Sequence, residues 1–395
     1  MKITGFRSLY ATHDWGRPTG DVNGVVTETV TTVPVLIIET DAGVQGVGLG
    51  AHADVGRVFD AVEGQDPRAV TALYDRMLDW VFKAGHAGTT FGTIGAIDMA
   101  LWDIKAKLAE EPLWRTLGGR ERFVPGYASG LEYGLTDEEV AALYTRFAER
   151  GFKGGKLKGG RSLDRDLPRL ELLRAALSRN SRRPALMLDA NEAWNRAQAV
   201  RYVAEIERSY DLTWIEEPVR RWDTAGLGFV RAKVRAAVAS GENLTGLEQY
   251  TPLLAADALD IVQVGSVWGI THFLRVATLA HAHDLPVSPV AFNGNPIAHA
   301  AAVVPNLLTH EVQDLAFPTG LDIDQEFEDG GIVLGERPGL GISVDESLLS
   351  PKPPAARPLR PDGPHVRPER AALRMVAEPD VHDDPAVPVR SEETR

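Results

Sequence analysis

Three acidic residues close three successive apolar segments of this 395-residue chain at nearly equal spacing. Leu186-Met187-Leu188 runs into Asp189, Thr213-Trp214-Ile215 into Glu216, and Ala237-Val238-Ala239-Ser240-Gly241 into Glu242, at intervals of 27 and 26 residues. Such spacing holds one strand, one helix and two loops per repeat. Near-continuous apolar strands between helical patterns indicate parallel strands buried on both faces. Three units of this kind suggest a barrel, in which the carboxyl ends of the strands surround one shared site. Carboxylates gathered there repel each other and lose solvation, and a cation relieves both costs. Three oxygen ligands with room for water and substrate suit Mg²⁺ in octahedral geometry. One unit earlier, Lys156 and Lys158 stand two apart at the end of Gly151-Phe152-Lys153-Gly154-Gly155-Lys156-Leu157-Lys158, so both face the barrel interior. Two ammonium groups beside each other and near a dication disfavour one another's charge, so at least one is expected to have a depressed pKa and to serve as a base. This set suits removal of the proton on the carbon next to a carboxylate: a metal on the carboxylate oxygens stabilises the charge and a neutral lysine takes the proton.

The elements that must position these groups are legible in the same pattern. Strand ends fall near Tyr127, Lys158, Asp189, Glu216, Glu242, Val264, Ser288 and Glu311. Helical patterns separate them, and the one from Thr136 to Arg150 opens on Thr136 and Glu139 at capping-box spacing and stops at Gly151. Eight strands and no clear eighth helix make the fold class α/β, with a barrel over residues 121–318. Residues 1–120 read as an α+β unit: alternating strands first, then a helix with an apolar stripe from Thr93 to Ala109. Between those strands, glycine-rich Asp14 to Val26 reads as a mobile loop, with Trp15 as a lid candidate. Residues 319–350 alternate again and read as a return to the first unit. Residues 351–395 hold 10 of the 25 prolines and read as a disordered tail.

Composition narrows the partners. A formal charge of −13 disfavours nucleic acid and anionic membrane, and the absence of cysteine excludes disulfides, thiolate catalysis and cysteine-ligated metals. No apolar run is long enough to span a membrane and no signal-peptide core opens the chain, so a soluble, cytoplasmic protein is expected.

Lys156-x-Lys158, Leu188-Asp189-Ala190-Asn191, Ile215-Glu216-Glu217-Pro218 and Gly241-Glu242, closing successive units, resemble the mandelate-racemase-like branch of the enolase superfamily. The resemblance covers roughly residues 1 to 350 and includes Gly95-Ala96-Ile97-Asp98-Met99-Ala100-Leu101-Trp102-Asp103-Ile104. It implies a modified TIM barrel, (β/α)7β, beneath an α+β N-terminal capping domain, together with one Mg²⁺, a small carboxylate substrate, an enolate intermediate and a homo-oligomer. Asp189, Glu216 and Glu242 would be the metal ligands, Lys158 the base, and Lys156 a group that tunes that base and binds the carboxylate. Asn191, Glu311, His52 and Asn293 are the substrate-contact candidates. Glu217 is expected to point away from the interior toward a neighbouring helix, and Lys153 to be solvated.

One departure from the family pattern bears on the reaction. Racemases and many dehydratases of this branch carry a histidine after the seventh strand paired with an aspartate at the sixth, and neither stands here. Nor does the sixth strand carry the lysine of the muconate-cycloisomerase-like branch. With one face equipped, β-elimination of water from an acid sugar is the leading reading, since a single lysine can act first as base and then as acid. Racemisation, epimerisation or cycloisomerisation through the same enolate is the second reading, with His52 or His86 restoring the other face. A carboxylate-binding protein without turnover is the third.

Overall fold

Eight short strands run in parallel and in chain order: Phe123–Ser129, Gly154–Lys158, Ala185–Asp189, Leu212–Glu216, Ala237–Ser240, Ile261–Gly265, Val287–Val290 and His310–Val312. The structure is a computed structural model that describes residues 1–290 and 296–353; the proline-rich tail expected to be disordered lies outside the described residues from 354 onward. Each strand pairs with the next through the seventh, the eighth pairs with the first, and a parallel bridge between Val287 and Leu307 joins the seventh to the segment that leads into the eighth. The sheet therefore closes on itself, leaving no barrel edge unpaired. Among the described residues seven α-helices connect the strands, and no α-helix follows the eighth. The chain is thus a (β/α)7β barrel. The helix Asp137–Glu149 begins with the expected capping box, Thr136 Oγ1 accepting from Glu139 N and Glu139 Oε2 from Thr136 N.

Side chains alternate along each strand, so residues paired across neighbouring strands face the same way. Tyr127, Met187, Trp214, Ala239 and Ile261 form an apolar floor inside the barrel, with the Tyr127 and Trp214 rings edge to face at 5.1 Å. The inward residues one step closer to the carboxyl ends are polar. A dry floor below and charged groups above give the interior a polarity gradient directed at the barrel mouth.

The capping domain is an antiparallel sheet of Ile3–Asp14, Val30–Thr40 and Gly46–Leu49 backed by the helix Thr89–Leu108. That helix docks on the barrel where backbone meets backbone: a Cβ on Gly95 would lie 2.5 Å from the Val267 carbonyl oxygen. One turn on, Asp98 accepts from Thr271 N at 2.8 Å and Thr271 Oγ1 at 2.5 Å, capping the barrel helix Ile270–His281 from another domain. The run from Gly95 to Ile104 is therefore a seam, not a catalytic motif. After the eighth strand, Thr319 and Ser350 bridge to Thr12 and Tyr10 of the capping sheet, while Gly331–Leu334 pairs with the start of the first barrel strand. The returning segment ties both units together.

Burial pushes the Asp98 carboxyl up to about 7, against the lowering effect of its bonds to Thr271. A folded-state pKa above the ordinary value favours the fold at low pH, and that contribution is lost as pH rises from about 4 to about 7. The variant Asp98→Asn has no titrating group at this position. Urea denaturation of wild type and Asp98→Asn should show the wild-type advantage shrinking by about 2 kcal/mol between about pH 5.5 and 7.5.

Candidate active site

Lys158, Asp189 and Glu216 are direct register partners on the second, third and fourth strands, so they form one inward-facing row at the barrel mouth. Glu242 joins them by a different device. Simple alternation beyond Ala239, the register partner of Glu216, would turn residue 242 outward. Gly241 instead has φ 132, and a Cβ there would lie 2.3 Å from the Gln263 carbonyl oxygen, so only glycine fits. The reversal puts Glu242 within the field of Asp189 and Lys158.

Beneath this row, Lys156 is wholly buried and makes ion pairs with Glu216 Oε1 at 2.5 Å, Glu311 Oε1 at 2.9 Å and Asp189 Oδ2 at 3.8 Å. It also donates to Tyr127 Oη at 3.2 Å. Lys158 pairs with Asp189 Oδ2. Glu216 Oε2 accepts from Gln263 Nε2 at 2.6 Å and Trp214 Nε1 at 3.0 Å, which fixes its plane. Glu132 accepts from Lys158 N at 2.6 Å and from Tyr144 Oη at 3.2 Å, holding the end of the second strand in place.

Burial pushes the Glu216 carboxyl up to about 8 and that of Glu242 up to about 7, and repulsion from Asp189 adds to both. Burial also opposes the charge of Asp189, but Lys158 and Lys156 outweigh it and hold its pKa below the ordinary carboxylate value. The two lysines correct the expectation from sequence. Burial works against their charge, yet Glu216 and Glu311 around Lys156, and Asp189 beside Lys158, raise both above the ordinary lysine value. A depressed lysine pKa therefore requires the carboxylate charge to be taken up by something other than the lysines.

The donor chemistry fits a hard dication: three carboxylates from three consecutive strands, with no sulfur or imidazole among them. As the side chains stand, no three acidic or imidazole groups among the described residues converge closely enough to enclose an ion. The lysine ammonium groups stand among the carboxylates. An ion held there by Asp189, Glu216 and Glu242 would need Lys158 to leave Asp189 Oδ2.

Of the remaining candidates, Glu311 is inward, buried and paired with Lys156, with Gln313 Nε2 donating to its Oε2 at 3.0 Å. Asn191 lies at the end of the third strand with φ 43; its N bonds Asp189 Oδ1 at 2.8 Å, and its buried Oδ1 has no partner among the described residues. Asn293 lies outside the described residues. His52 does not fit a substrate contact: Ser8 Oγ lies 2.7 Å from Nε2 and the Gly50 carbonyl 2.9 Å from Nδ1, so both ring nitrogens are engaged within the capping domain. His86 is tied to Glu248 at 2.6 Å. In this side-chain arrangement both histidines are bonded away from the carboxylate cluster. Glu217 also departs from expectation. It is buried, and Asn243 Nδ2 bridges it to Glu242 at 2.9 and 3.0 Å, so it belongs to the carboxylate cluster. Its φ of 42 ends the strand alternation on which the outward reading rests.

The glycine-rich segment is not a loose loop. Thr19–Asp21 and Gly24–Val26 form a hairpin that bonds to Leu131 O through Gly20 N at 2.8 Å and to Asn191 O through Asn23 Nδ2 at 3.0 Å. Trp15 is buried beneath it, its indole N–H bonded to Thr31 Oγ1 at 2.8 Å. The hairpin thus spans the mouth from the first strand's loop to the third's. Sequence reasoning missed Glu132, Gln263 and Asn243. Gln263, a lone polar residue in Ile261-Val262-Gln263-Val264, carried a signal; Glu132 and Asn243 carried none.

A family model described as the mandelate racemase / muconate lactonizing enzyme N-terminal domain matches residues 22–118, and one described as enolase C-terminal domain-like matches residues 139–348. The chain is 31% identical over 333 residues to an L-talarate/galactarate dehydratase of Salmonella typhimurium, covering 80% of this chain and 82% of that one. It is 31% identical over 289 residues to a 3,6-anhydro-alpha-L-galactonate cycloisomerase of Streptomyces coelicolor, covering 72% and 79%. The fold superposes with a TM-score of 0.79 on the crystal structure of a racemase from Streptomyces coelicolor with bound magnesium, at 28% identity, covering 87% of this chain and 98% of that one.

Removing one partner from a buried ion cluster leaves the others uncompensated. In the absence of added divalent ions, Lys156→Met should cost about 3–5 kcal/mol in urea denaturation. The exposed Lys153→Met should stay within about 0.5 kcal/mol of wild type.

Proposed function

The chain belongs to the mandelate racemase/muconate lactonizing enzyme family of the enolase superfamily, and on that premise we propose that it is a Mg²⁺-dependent acid-sugar dehydratase. Asp189, Glu216 and Glu242 would hold the ion, and Lys158 would be the base. Mg²⁺, when bound, supplies the positive charge that makes the deprotonated carboxylate substrate accessible at neutral pH. Were the carboxylate charge taken up by the ion, Lys158 would give its ammonium proton to solvent and, as the neutral amine, take the one next to the substrate carboxylate. Lys156 and Glu311, fixed to each other below the reacting carbon, orient the substrate carboxylate. Asn191 Oδ1 accepts from a substrate hydroxyl. Glu132 keeps Lys158 aimed by holding its backbone N–H. Lys158 then returns its proton to the departing β-hydroxyl, which leaves as water, and the enol product tautomerises to a 2-keto-3-deoxy acid.

The observation that supports elimination is the one-sidedness of the proton-transfer set. The inward side chains of the sixth and seventh strands are Gln263 and Ser288, register partners that carry no titratable proton. Residues 284–298 contain no histidine or lysine. Exchange of configuration needs an acid on each face, whereas elimination on the side of the base needs one lysine.

Purified protein with Mg²⁺ in D₂O, surveyed by proton NMR against a panel of acid sugars, should convert at least one of them to its 2-keto-3-deoxy acid. Lys158→Ala should lower that rate by about 10²–10⁴-fold with an unchanged circular dichroism spectrum. Deuterium uptake without loss of water would instead support racemisation or epimerisation, ring opening or closure would support cycloisomerisation, and inertness toward every acid that binds would support a binding protein. Undiminished turnover in Lys158→Ala would remove that residue from the mechanism.

A further inference from the structure

The capping strand that begins at Ile3 leaves its sheet at Asp14 but keeps a strand-like alternation: His13, Trp15 and Arg17 are buried, while Asp14 and Gly16 are exposed. The three buried side chains stack. His13 meets the Trp15 ring edge to face at 4.8 Å, and the Arg17 guanidinium lies 5.4 Å from the Trp15 ring centre. Trp15 is pinned by Thr31 and His13 by Asp314, whose Oδ2 lies 2.8 Å from Nε2. The far end of this ladder is unfinished. Arg17 is 8% exposed, and its Nε and Nη2 have no hydrogen-bond partner among the described residues; Nη1 reaches the Pro18 carbonyl at 3.4 Å.

A desolvated guanidinium with two unpaired nitrogens is costly unless something pairs with it. Burial lowers the Arg17 pKa, and the carboxylates that offset this are Asp314 and Glu132. Neither bonds it, and each is engaged elsewhere. Asp314 is engaged by His13 and, through Oδ1, by Leu315 N at 2.7 Å; Glu132 is engaged by Lys158 N and Tyr144 Oη. Those same neighbours fix where Arg17 lies: between the loops following the eighth and first barrel strands, at the root of the hairpin that crosses the mouth. Nε and Nη2 form one edge of the guanidinium fork, the geometry that receives a carboxylate through two parallel bonds.

We propose that Arg17 receives a second carboxylate of the substrate, so that the natural substrate is a sugar diacid and not a monoacid. The proposal rests on the acid-sugar reading above and makes it more specific. One carboxylate faces Lys156 and Glu311 on the barrel, and the distal one closes the charge of Arg17 under the cap. His13 and Trp15 are positioning residues that hold the guanidinium. The two relatives described above differ in this respect, since galactarate carries two carboxylates and an anhydrogalactonate one.

The test uses matched six-carbon pairs, galactarate with galactonate, glucarate with gluconate and mannarate with mannonate, which differ only at the distal carbon. Binding of each to the Mg²⁺-loaded full chain is measured by calorimetry, and kcat/KM by release of the keto acid. Diacids should be preferred by at least about 100-fold, because a site built around a buried donor rejects an analogue that leaves it unpaired. Arg17→Met should remove that preference by weakening diacids about 100-fold while leaving monoacids within a few-fold. Arg17→Lys, which keeps the charge and loses the fork, should fall between and guards against a folding defect in the first variant. Equal binding of both classes, absence of diacid binding, or an equal loss for both classes in Arg17→Met would overturn the proposal. Preferential turnover of monoacids that Arg17→Met leaves unaffected would sink it while leaving the dehydratase reading intact. Tight, Arg17-dependent diacid binding without any turnover would sink the dehydratase reading and leave Arg17 as the diacid receptor.

Discussion

Buried carboxylates at the ends of adjacent parallel strands cannot all keep their charge without a compensating cation, and the rest of this molecule is arranged around that constraint. Register alone brings Lys158, Asp189 and Glu216 into a row, and the left-handed backbone at Gly241 adds Glu242. Two lysines supply the compensation in the resting side-chain arrangement, and burial makes each partner dependent on the others. The cost of the cluster is carried by the surrounding barrel, whose apolar floor of Tyr127, Met187 and Trp214 supports it from below.

The same lysines that neutralise the carboxylates are the groups proposed to accept a proton. These two roles exclude each other for Lys158 at any one moment. A lysine held charged by Asp189 is not a base, and a lysine released from it is next to Lys156 in a water-poor site, where its charged form is disfavoured. Charge arriving at the carboxylates therefore acts as the switch between a stabilising ion pair and a reactive amine. The seam between cap and barrel matters because it fixes the mouth: Asp98 caps a barrel helix from the capping domain, and the hairpin's Asn23 reaches Asn191 beside the carboxylates.

Much of this arrangement is legible in the sequence because strands translate spacing into direction. The lysine pair, Asp189, Glu216 and Glu311 follow from periodicity and parity, Glu242 follows from spacing alone because Gly241 reverses its direction, and the barrel with its missing eighth helix follows from the same count. What is not legible depends on long-range packing or on backbone outside the regular regions. Glu217 defeats the parity argument because alternation stops at Glu217 itself, whose φ is left-handed. The lysine pKa shifts run opposite to expectation because assigning the carboxylates to a metal leaves out their effect on the lysines. The segment from Asp14 to Val26 looks loose on its glycines, yet Trp15, Arg17 and Val22 are buried and hold it down. Glu132 and Arg17 acquire meaning only when loops distant in sequence meet above the barrel.

The most direct measurement is calorimetric titration of the protein with Mg²⁺ near neutral pH in buffers of differing ionisation enthalpy, which counts both ions bound and protons exchanged. If the carboxylates and lysines share their protons as described, one Mg²⁺ binds per chain with net proton release, because a dication lowers the pKa of every group around it. Asp189→Asn should abolish that binding. Absence of Mg²⁺ binding, or binding with no proton released, would contradict the account.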